Sequence, residues 1–212
     1  MADLFHRTEL AEQMAQQLLQ PDQLNVGLRS GLFLSGLRRT GKTTFLRQDF
    51  IPALEEKGAL VIYVDLWSDV QASPVTLVHS AIVAALVDME KPSSVLVQRL
   101  RRIKALDVGA AGFKLGFQLE ALGQKNGPSI AQALTDVVDA AKTDVVMVID
   151  EVQHALASEH GKNLLLALKA ARDAINARPG TPGHFLFVGT GSHRAQVSEM
   201  STGRTQAFAG AT

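Results

Sequence analysis

The sequence predicts an α/β protein in which a parallel β-sheet lies between two layers of helices. Segments with strand-like and helix-like patterns alternate along the chain, as they do in βαβ units joined by right-handed crossovers. Some of the strand-like segments are almost continuously apolar, which is typical of strands covered on both faces. Glycine, hydroxyl and carboxylate residues follow three of them, and ligands of such sheets bind at the carboxyl ends of strands.

Four segments form the strands of this predicted sheet. They are residues 31–36 (GLFLSG), 59–67 (ALVIYVDLW), 144–151 (DVVMVIDE) and 184–192 (HFLFVGTGS). The second segment is rich in β-branched residues, and the third ends in two carboxylates. The first, third and fourth segments therefore bring polar groups to the places where their strands end.

Helices are predicted between these strands from apolar residues at helical spacing. In residues 8–20, Leu10, Met14 and Leu18 recur four positions apart. Further helices are predicted from residue 42 onwards and at residues 76–89, 129–142 and 161–178. Pro52 lies inside the second helix, where we expect it to kink or interrupt the hydrogen-bonded ladder.

Residues 92–128 break the alternation and are predicted to be an insertion in the domain. Residues 93–104 have the pattern of a basic helix, and residues 112–121 alternate apolar and polar side chains as one strand of a hairpin does. The basic run consists of Arg99, Arg101, Arg102 and Lys104. Two interpretations of this run remain, a contact with DNA and a solvated helix face.

Length and composition indicate one domain, residues 1–212, with a full hydrophobic core. The chain is 46% apolar and has a formal net charge of zero, which disfavours disorder and wholesale binding to a polyanion. The absence of cysteine excludes disulfides and fits a reducing compartment. The N-terminus is too polar for a secretory signal, and the apolar runs are too short for a membrane span. We therefore expect a cytoplasmic protein.

The loop after the first strand fits the pattern G-x-x-x-x-G-K-[ST] at each fixed position. Its residues are Gly36, Leu37, Arg38, Arg39, Thr40, Gly41, Lys42 and Thr43. Glycines let the backbone wrap tightly, so that its N–H groups point into one concavity. The N-terminus of the following helix favours an anion in the same place. The loop is therefore predicted to bind phosphate, and a chance match or a plain turn is a poor alternative.

Side chains of this loop and of the residue after it can be assigned to parts of a nucleotide. Lys42 can reach the β- and γ-phosphates, and the Thr43 hydroxyl can ligate Mg²⁺. Thr44 is placed to bond the α-phosphate. Arg38 and Arg39 occupy variable positions of the loop. They either shape the electrostatic field there or lie in solvent, and we favour solvent.

Asp150 and Glu151 directly follow the apolar run VVMVI. A carboxylate at the edge of the sheet suits Asp150 to the orientation of Mg²⁺. Glu151 suits a general base for water, because it would lie near the γ-phosphate without binding the metal. This pair favours hydrolysis over transfer of the phosphoryl group to a second substrate. The alternative is a strand-ending turn, in which carboxylates are common.

A third polar segment, Thr190-Gly191-Ser192, follows the run FLFV. If this strand lies between the strand before the phosphate loop and the strand that ends at Asp150, its hydroxyl groups sit beside the γ-phosphate. Either Ser192 or Thr190 could then position the attacking water, and we favour Ser192. A simple turn is the alternative.

Three segments resemble those of a known family: GLRRTGKTT, VVMVIDEVQ and FVGTGSHRAQVSEM. They are similar to the Walker A, Walker B and sensor-1 segments of P-loop ATPases of the AAA+ type, especially the prokaryotic AAA+ and STAND-related group. The resemblance implies ATP and Mg²⁺ as cofactors and the strand order 5-1-4-3-2. By position, it implies that Lys42 and Thr43 hold phosphate and metal, that Asp150 orients Mg²⁺, that Glu151 activates water and that Ser192 senses the γ-phosphate.

The same resemblance implies a fifth strand and a helical lid after the sensor-1 segment. The sequence reaches Thr212 where these elements would begin. Either the sequence is a fragment or the lid is absent, and in both cases we expect a bare apolar edge on the first strand. Arg204 has two interpretations, a solvated side chain and an arginine that acts on the ATP of a neighbouring copy.

The expected function is ATP binding and Mg²⁺-dependent hydrolysis coupled to a conformational change. A nucleotide-dependent switch or scaffold with little turnover is one alternative, and a DNA-associated ATPase is another. The expected partners are ATP or ADP and another protein molecule, which can be a second copy of this chain. A DNA partner is indicated by the basic run alone, and no membrane partner is expected.

Three histidines, His154, His160 and His193, lack the spacing of a metal site. Asp65 either supports the metal site or has a helix-capping or turn role.

Overall fold

The core of the protein is a parallel β-sheet. The computed structural model describes residues 5–21, 26–90 and 129–192. Within these residues the strands are β1 (Leu32–Ser35), β2 (Leu60–Asp65), β3 (Val145–Asp150) and β4 (Phe185–Gly191). All three pairings are parallel, and the strand order is β1-β4-β3-β2. The predicted parallel α/β fold and the order 1-4-3-2 within it are confirmed.

Helices connect the strands and cover both faces of the sheet. They are α1 (Thr8–Leu19), α2 (Lys42–Phe45), α3 (Ile51–Glu56), α4 (Pro74–Glu90), α5 (Ile130–Ala141) and α6 (Glu159–Asn176), with 3₁₀ turns at Val26–Ser30 and Val152–Ala157. Helix α6 begins earlier than its apolar periodicity indicates, because the Ser158 hydroxyl accepts a hydrogen bond from the Gly161 N–H at 3.1 Å and caps the first turn. None of the described helices combines the length and apolarity needed to cross a bilayer.

Pro52 changes the helix after the phosphate loop without ending it. Between α2 and α3 the chain makes one π-helical turn, Leu46–Phe50, in which the Ile51 N–H bonds to the Leu46 carbonyl five residues back. Pro52 then falls in the first turn of α3, where its missing N–H leaves no α-helical hydrogen bond unmade. The expected interruption therefore takes the form of a π turn, and the helix continues to Glu56.

Two apolar layers pack against the sheet, one on each face. Side chains of β3 alternate between them: Val146 and Val148 face α1 and the helical segments after the phosphate loop, whereas Met147 and Ile149 face α4, α5 and α6. Every residue of β3 and β4 is buried, as expected for central strands with both faces covered. This arrangement confirms the predicted three-layer order of helices, sheet and helices.

Strand register places the carboxyl ends of all four strands side by side. Asp65 at the end of β2 is opposite Asp150 at the end of β3, and Ser35 at the end of β1 is opposite Gly191 at the end of β4. The ladder extends one step further, because the Gly36 N–H donates to the Gly191 carbonyl at 3.3 Å. The phosphate loop and the three other strand ends therefore share one edge of the sheet.

Several predictions concern parts of the chain that the structure does not describe. The insertion at 92–128 and the basic run within it are among them. So are His193, Arg204 and the position of a fifth strand beside β1. These predictions stay predictions.

Two leucines of α6 allow a direct test of the packing. Leu168 is fully buried, whereas Leu166, two residues earlier, is 49% exposed. Leu168→Ala should lower the free energy of unfolding by about 2–5 kcal/mol, because it removes buried methyl groups and leaves a cavity. Leu166→Ala makes the same change of helix propensity and should cost about 0.5 kcal/mol or less. Urea denaturation measures both, and equal losses would contradict the assigned packing.

Candidate functional site

The loop between β1 and α2 is compact and is closed by its own hydrogen bonds. Gly41 has a φ of 79°, in the left-handed region that favours glycine, and it directly precedes α2. A Cβ atom on Gly36 would lie 3.4 Å from the Thr40 hydroxyl oxygen. That hydroxyl donates to the Leu37 carbonyl at 2.8 Å and closes the loop. Gly41 therefore supplies a left-handed backbone before α2, and Gly36 leaves room for the Thr40 side chain that closes the loop.

The Lys42 side chain folds back over this loop. Its Nζ donates hydrogen bonds to the carbonyl oxygens of Gly36 at 2.8 Å and Leu37 at 2.9 Å. Both acceptors are neutral, and oxygens of a phosphate group would bind the ammonium more strongly. The loop thus holds a cation against the place where the motif predicts an anion.

The Asp150 carboxylate receives hydrogen bonds from several segments. Its Oδ2 accepts from the Thr43 hydroxyl at 2.6 Å and the Tyr63 hydroxyl at 3.3 Å. Its Oδ1 accepts from the Thr190 hydroxyl and from the Glu151 N–H, the latter at 3.1 Å. Burial, together with the Asp150 charge, raises the pKa of Tyr63, so its hydroxyl remains a donor. The carboxylate is only 1% exposed and is held by these donors.

The contact between Thr43 and Asp150 fits a magnesium site. A hydroxyl and a carboxylate are hard oxygen ligands, and Mg²⁺ in nucleotide sites is held by one or two such groups together with phosphate oxygens and water. The described residues contain no group of three or more His, Asp or Glu side chains that could hold an ion by themselves. A divalent ion here would therefore depend on a bound phosphate for part of its coordination.

Glu151 begins the turn after β3 in an unusual conformation. Its φ and ψ are 54° and 43°, left-handed values that are uncommon for a residue with a side chain. The carboxylate Oε2 accepts hydrogen bonds from the Ser192 hydroxyl at 2.6 Å and from the Gln153 amide. Burial by itself would raise the pKa of Glu151, but these bonds and the charge of Lys42 outweigh it and lower the pKa.

An open cavity of about 660 Å³ lies over these groups. It is lined by Arg38, Arg39, Gly41, Lys42, Thr43, Thr44, Trp67 and Glu151. Most of the predicted site residues thus surround one space. Asp150 is buried and bonded to the lining residue Thr43, and Ser192 is bonded to the lining residue Glu151. Gly36, Leu37 and Thr40 contribute the backbone and hydroxyl contacts within the loop.

Residues 27–197 match a family model described as an AAA domain. The chain belongs to the AAA family. It is a P-loop NTPase of the AAA+ type, as its motifs predicted. Membership in the family also makes the domain a nucleotide-binding module.

Comparison with solved structures and with curated proteins adds two findings about this AAA domain. It is similar to the Orc1 protein of Aeropyrum pernix, solved in complex with DNA, with 19% sequence identity and a TM-score of 0.48. The match covers 93% of this chain and 44% of that chain, so the AAA domain spans less than half of the Orc1 chain. No curated protein sequence matches the chain.

The site of this AAA domain includes residues that the sequence did not single out. Tyr63 and Gln153 bond to Asp150 and Glu151, and Trp67 lines the cavity. The Arg7 guanidinium donates to the Thr40 carbonyl of the phosphate loop at 3.1 Å. Trp67 offered the clearest signal, because it is the sole tryptophan and ends the predicted second strand.

Asp65 has the turn role, one of the alternatives that the sequence left open. Its Oδ1 accepts a hydrogen bond from the Trp67 N–H at 2.8 Å, and its carbonyl accepts one from the Ser68 hydroxyl at 2.7 Å. These bonds form the turn after β2. Asp65 thus shapes the chain that carries Trp67.

Removal of the Ser192 hydroxyl should raise the pKa of Glu151. Ser192→Ala deletes a donor to the ionised carboxylate, and a titration followed by carboxyl ¹³C NMR would measure the shift. Since the folded-state pKa is lowered, the stability from these bonds is present above the unfolded-state pKa and is lost as pH falls through the folded-state pKa. The variant should therefore differ from wild type in unfolding free energy more at about pH 7 than at about pH 3.

Ser68→Ala is the matched control for this titration. Its hydroxyl bonds to the Asp65 carbonyl and not to Glu151, so the pKa of Glu151 should stay at its wild-type value. An unchanged pKa in Ser192→Ala would contradict the hydrogen bond between Ser192 and Glu151.

Proposed function

We propose that this AAA domain binds ATP with Mg²⁺, hydrolyses it, and couples the nucleotide state to a conformational change at the edge of the sheet. One observation carries the proposal. The hydroxyl of Thr43 contacts the carboxylate of Asp150 at 2.6 Å, beside a cavity lined by Lys42 and Glu151. A phosphate-loop hydroxyl, a buried carboxylate, a cation and a second carboxylate are the groups that nucleotide hydrolysis requires.

The phosphate loop and Lys42 account for binding in this proposal. Phosphate oxygens would replace the Gly36 and Leu37 carbonyls as acceptors of the Lys42 ammonium, because a charged acceptor makes the stronger hydrogen bond. Thr43 and Asp150 are the residues that would hold Mg²⁺. The ion, when bound, neutralises charge on the phosphates.

Glu151 accounts for hydrolysis. The Glu151 carboxylate is ionised near neutral pH, and in this state it can accept a proton from water. The water oxygen then forms a bond to the terminal phosphorus while the bond from phosphorus to the bridging oxygen breaks, which releases ADP and phosphate. Ser192 and Gln153 bond to the same carboxylate oxygen and orient it for this step.

The hydrogen bonds also support a link between nucleotide state and conformation. Ser192, just after β4, bonds to Glu151, just after β3, while Thr43 of α2 bonds to Asp150 of β3. A metal that takes Thr43 as a ligand, or a water molecule that donates to Glu151, must compete with these bonds. Nucleotide binding is therefore expected to shift β4 and α2 relative to β3, which differential contacts of this kind make possible.

Lys42→Ala should remove nucleotide binding. Loss of the charged donor to phosphate should weaken ATP affinity by about 100-fold or more, as measured by calorimetry. Lys57→Ala is the control, because it removes the same charge from a residue that bonds to Gln16 on the surface. Equal affinities for the Lys42 variant and wild type would contradict the assigned phosphate site.

Glu151→Gln should retain ATP binding and lose hydrolysis. The amide keeps the shape of the side chain but cannot accept the proton from water, so turnover should fall by about 10²–10⁴-fold in a phosphate-release assay. Glu159→Gln, on the exposed start of α6, should hydrolyse ATP as wild type does. Normal turnover in the Glu151 variant would refute its role, and tight ATP binding by wild type without any turnover would support the alternative of a nucleotide-dependent switch.

A further inference from the structure

Arg38 and Trp67 meet at the cavity. The Arg38 guanidinium carbon lies 4.8 Å from the centroid of the indole ring, within the range of a cation–π contact, and tryptophan is the strongest aromatic partner for such a contact. Arg38 belongs to the phosphate loop, whereas Trp67 lies two residues after β2. The contact therefore joins the phosphate loop to the turn after β2.

The indole ring is held in place from two directions. Asp65 accepts the Trp67 N–H and so fixes the backbone of the turn. The ring also packs on the His154 imidazole, with centroids 5.2 Å apart. His154 lies in the 3₁₀ turn that begins directly after Glu151. Trp67 thus packs against the turn that follows Glu151, and 43% of it remains exposed.

Arg38 lies where its guanidinium could leave the Trp67 ring and bind a phosphate instead. It lines the same cavity as Lys42 and Glu151, and its planar guanidinium can donate two parallel hydrogen bonds to phosphate oxygens. An exposed cation–π contact is weak compared with a bidentate bond between charged groups. A phosphate within reach would therefore draw the guanidinium off the indole ring.

We propose that Arg38 binds the terminal phosphate of a nucleoside triphosphate and rests on Trp67 when that phosphate is missing. The inference rests on the proposed function, in which Glu151 marks the end of the cavity where the terminal phosphate lies. A diphosphate leaves that end without a phosphate group to accept hydrogen bonds from the guanidinium, so Arg38 stays stacked on the indole. Arg38 and Trp67 together then distinguish ATP from ADP within one copy of the chain.

The fluorescence of Trp67 reports this exchange, since the chain contains one tryptophan. Wild-type protein with Mg²⁺ is titrated with a non-hydrolysable ATP analogue, with ADP and with adenosine, and calorimetry on the same samples gives the affinities. The analogue should change the indole emission, whereas ADP and adenosine should leave it near its starting value. In Arg38→Ala the analogue-induced change should disappear, and affinity for the analogue should fall by about tenfold with less than about a twofold change for ADP.

Two further variants sharpen the test. Arg38→Lys keeps the charge but lacks the planar fork, so its preference for the analogue over ADP should lie between those of wild type and Arg38→Ala. Arg47 stacks on Tyr63 with 5.7 Å between guanidinium carbon and ring centroid, and it is absent from the cavity lining. Arg47→Ala should keep the wild-type preference, and circular dichroism checks that each variant is folded.

Other results would overturn the inference. An equal emission change with adenosine or ADP would mean that Trp67 contacts the base. An unaltered preference for the analogue in folded Arg38→Ala would remove the role of Arg38 while ATP binding and the proposed function stand. If calorimetry shows no nucleotide bound to wild type, the proposed function fails together with the inference.

Discussion

The site depends on the buried carboxylate of Asp150. An ionised carboxylate that is withdrawn from water is costly unless hydrogen-bond donors replace the lost solvation. Here the donors come from α2, β2, β4 and the turn after β3. The charge can therefore stay buried only while these four segments keep their positions, so one side chain links the phosphate loop to three of the strand ends.

The turn that presents Glu151 is a consequence of the same network. Its left-handed backbone is unfavourable for glutamate, but its N–H bonds to Asp150 Oδ1 and lies 3.4 Å from the Thr190 hydroxyl. These bonds hold the strained residue and turn its side chain toward Ser192 and Gln153. A local conformational cost is thus offset by tertiary hydrogen bonds, which is a common arrangement in functional sites.

The cavity has an uneven charge distribution that suits a polyphosphate. Lys42, Arg38 and Arg39 line it from the phosphate loop, and Glu151 lines it from the turn after β3. The basic residues attract an anion to one wall. The Glu151 carboxylate faces the same space, and its hydrogen bonds lower its pKa. The basic and acidic groups of the cavity therefore come from different strand ends.

Much of the fold could be predicted because its signals are local. Apolar periodicity marked the helices and strands, and the glycines of the motif marked a tightly wound loop before α2. The motifs identified Asp150 and Glu151 as residues of a strand end, and the family resemblance supplied the strand order. Pro52 signalled a kink or an interruption but not a π turn, because that form depends on how the helix adjusts its hydrogen bonds around the proline.

The sequence by itself determined the fold class, the phosphate loop and the residue types gathered at the edge of the sheet. Only the tertiary structure decided their partners: Tyr63 and Thr190 with Asp150, Ser192 and Gln153 with Glu151, and Arg38 with Trp67. The physical reason is strand register. Most of these contacts join residues far apart in the chain, and only the alignment of parallel strands brings their ends to the same level.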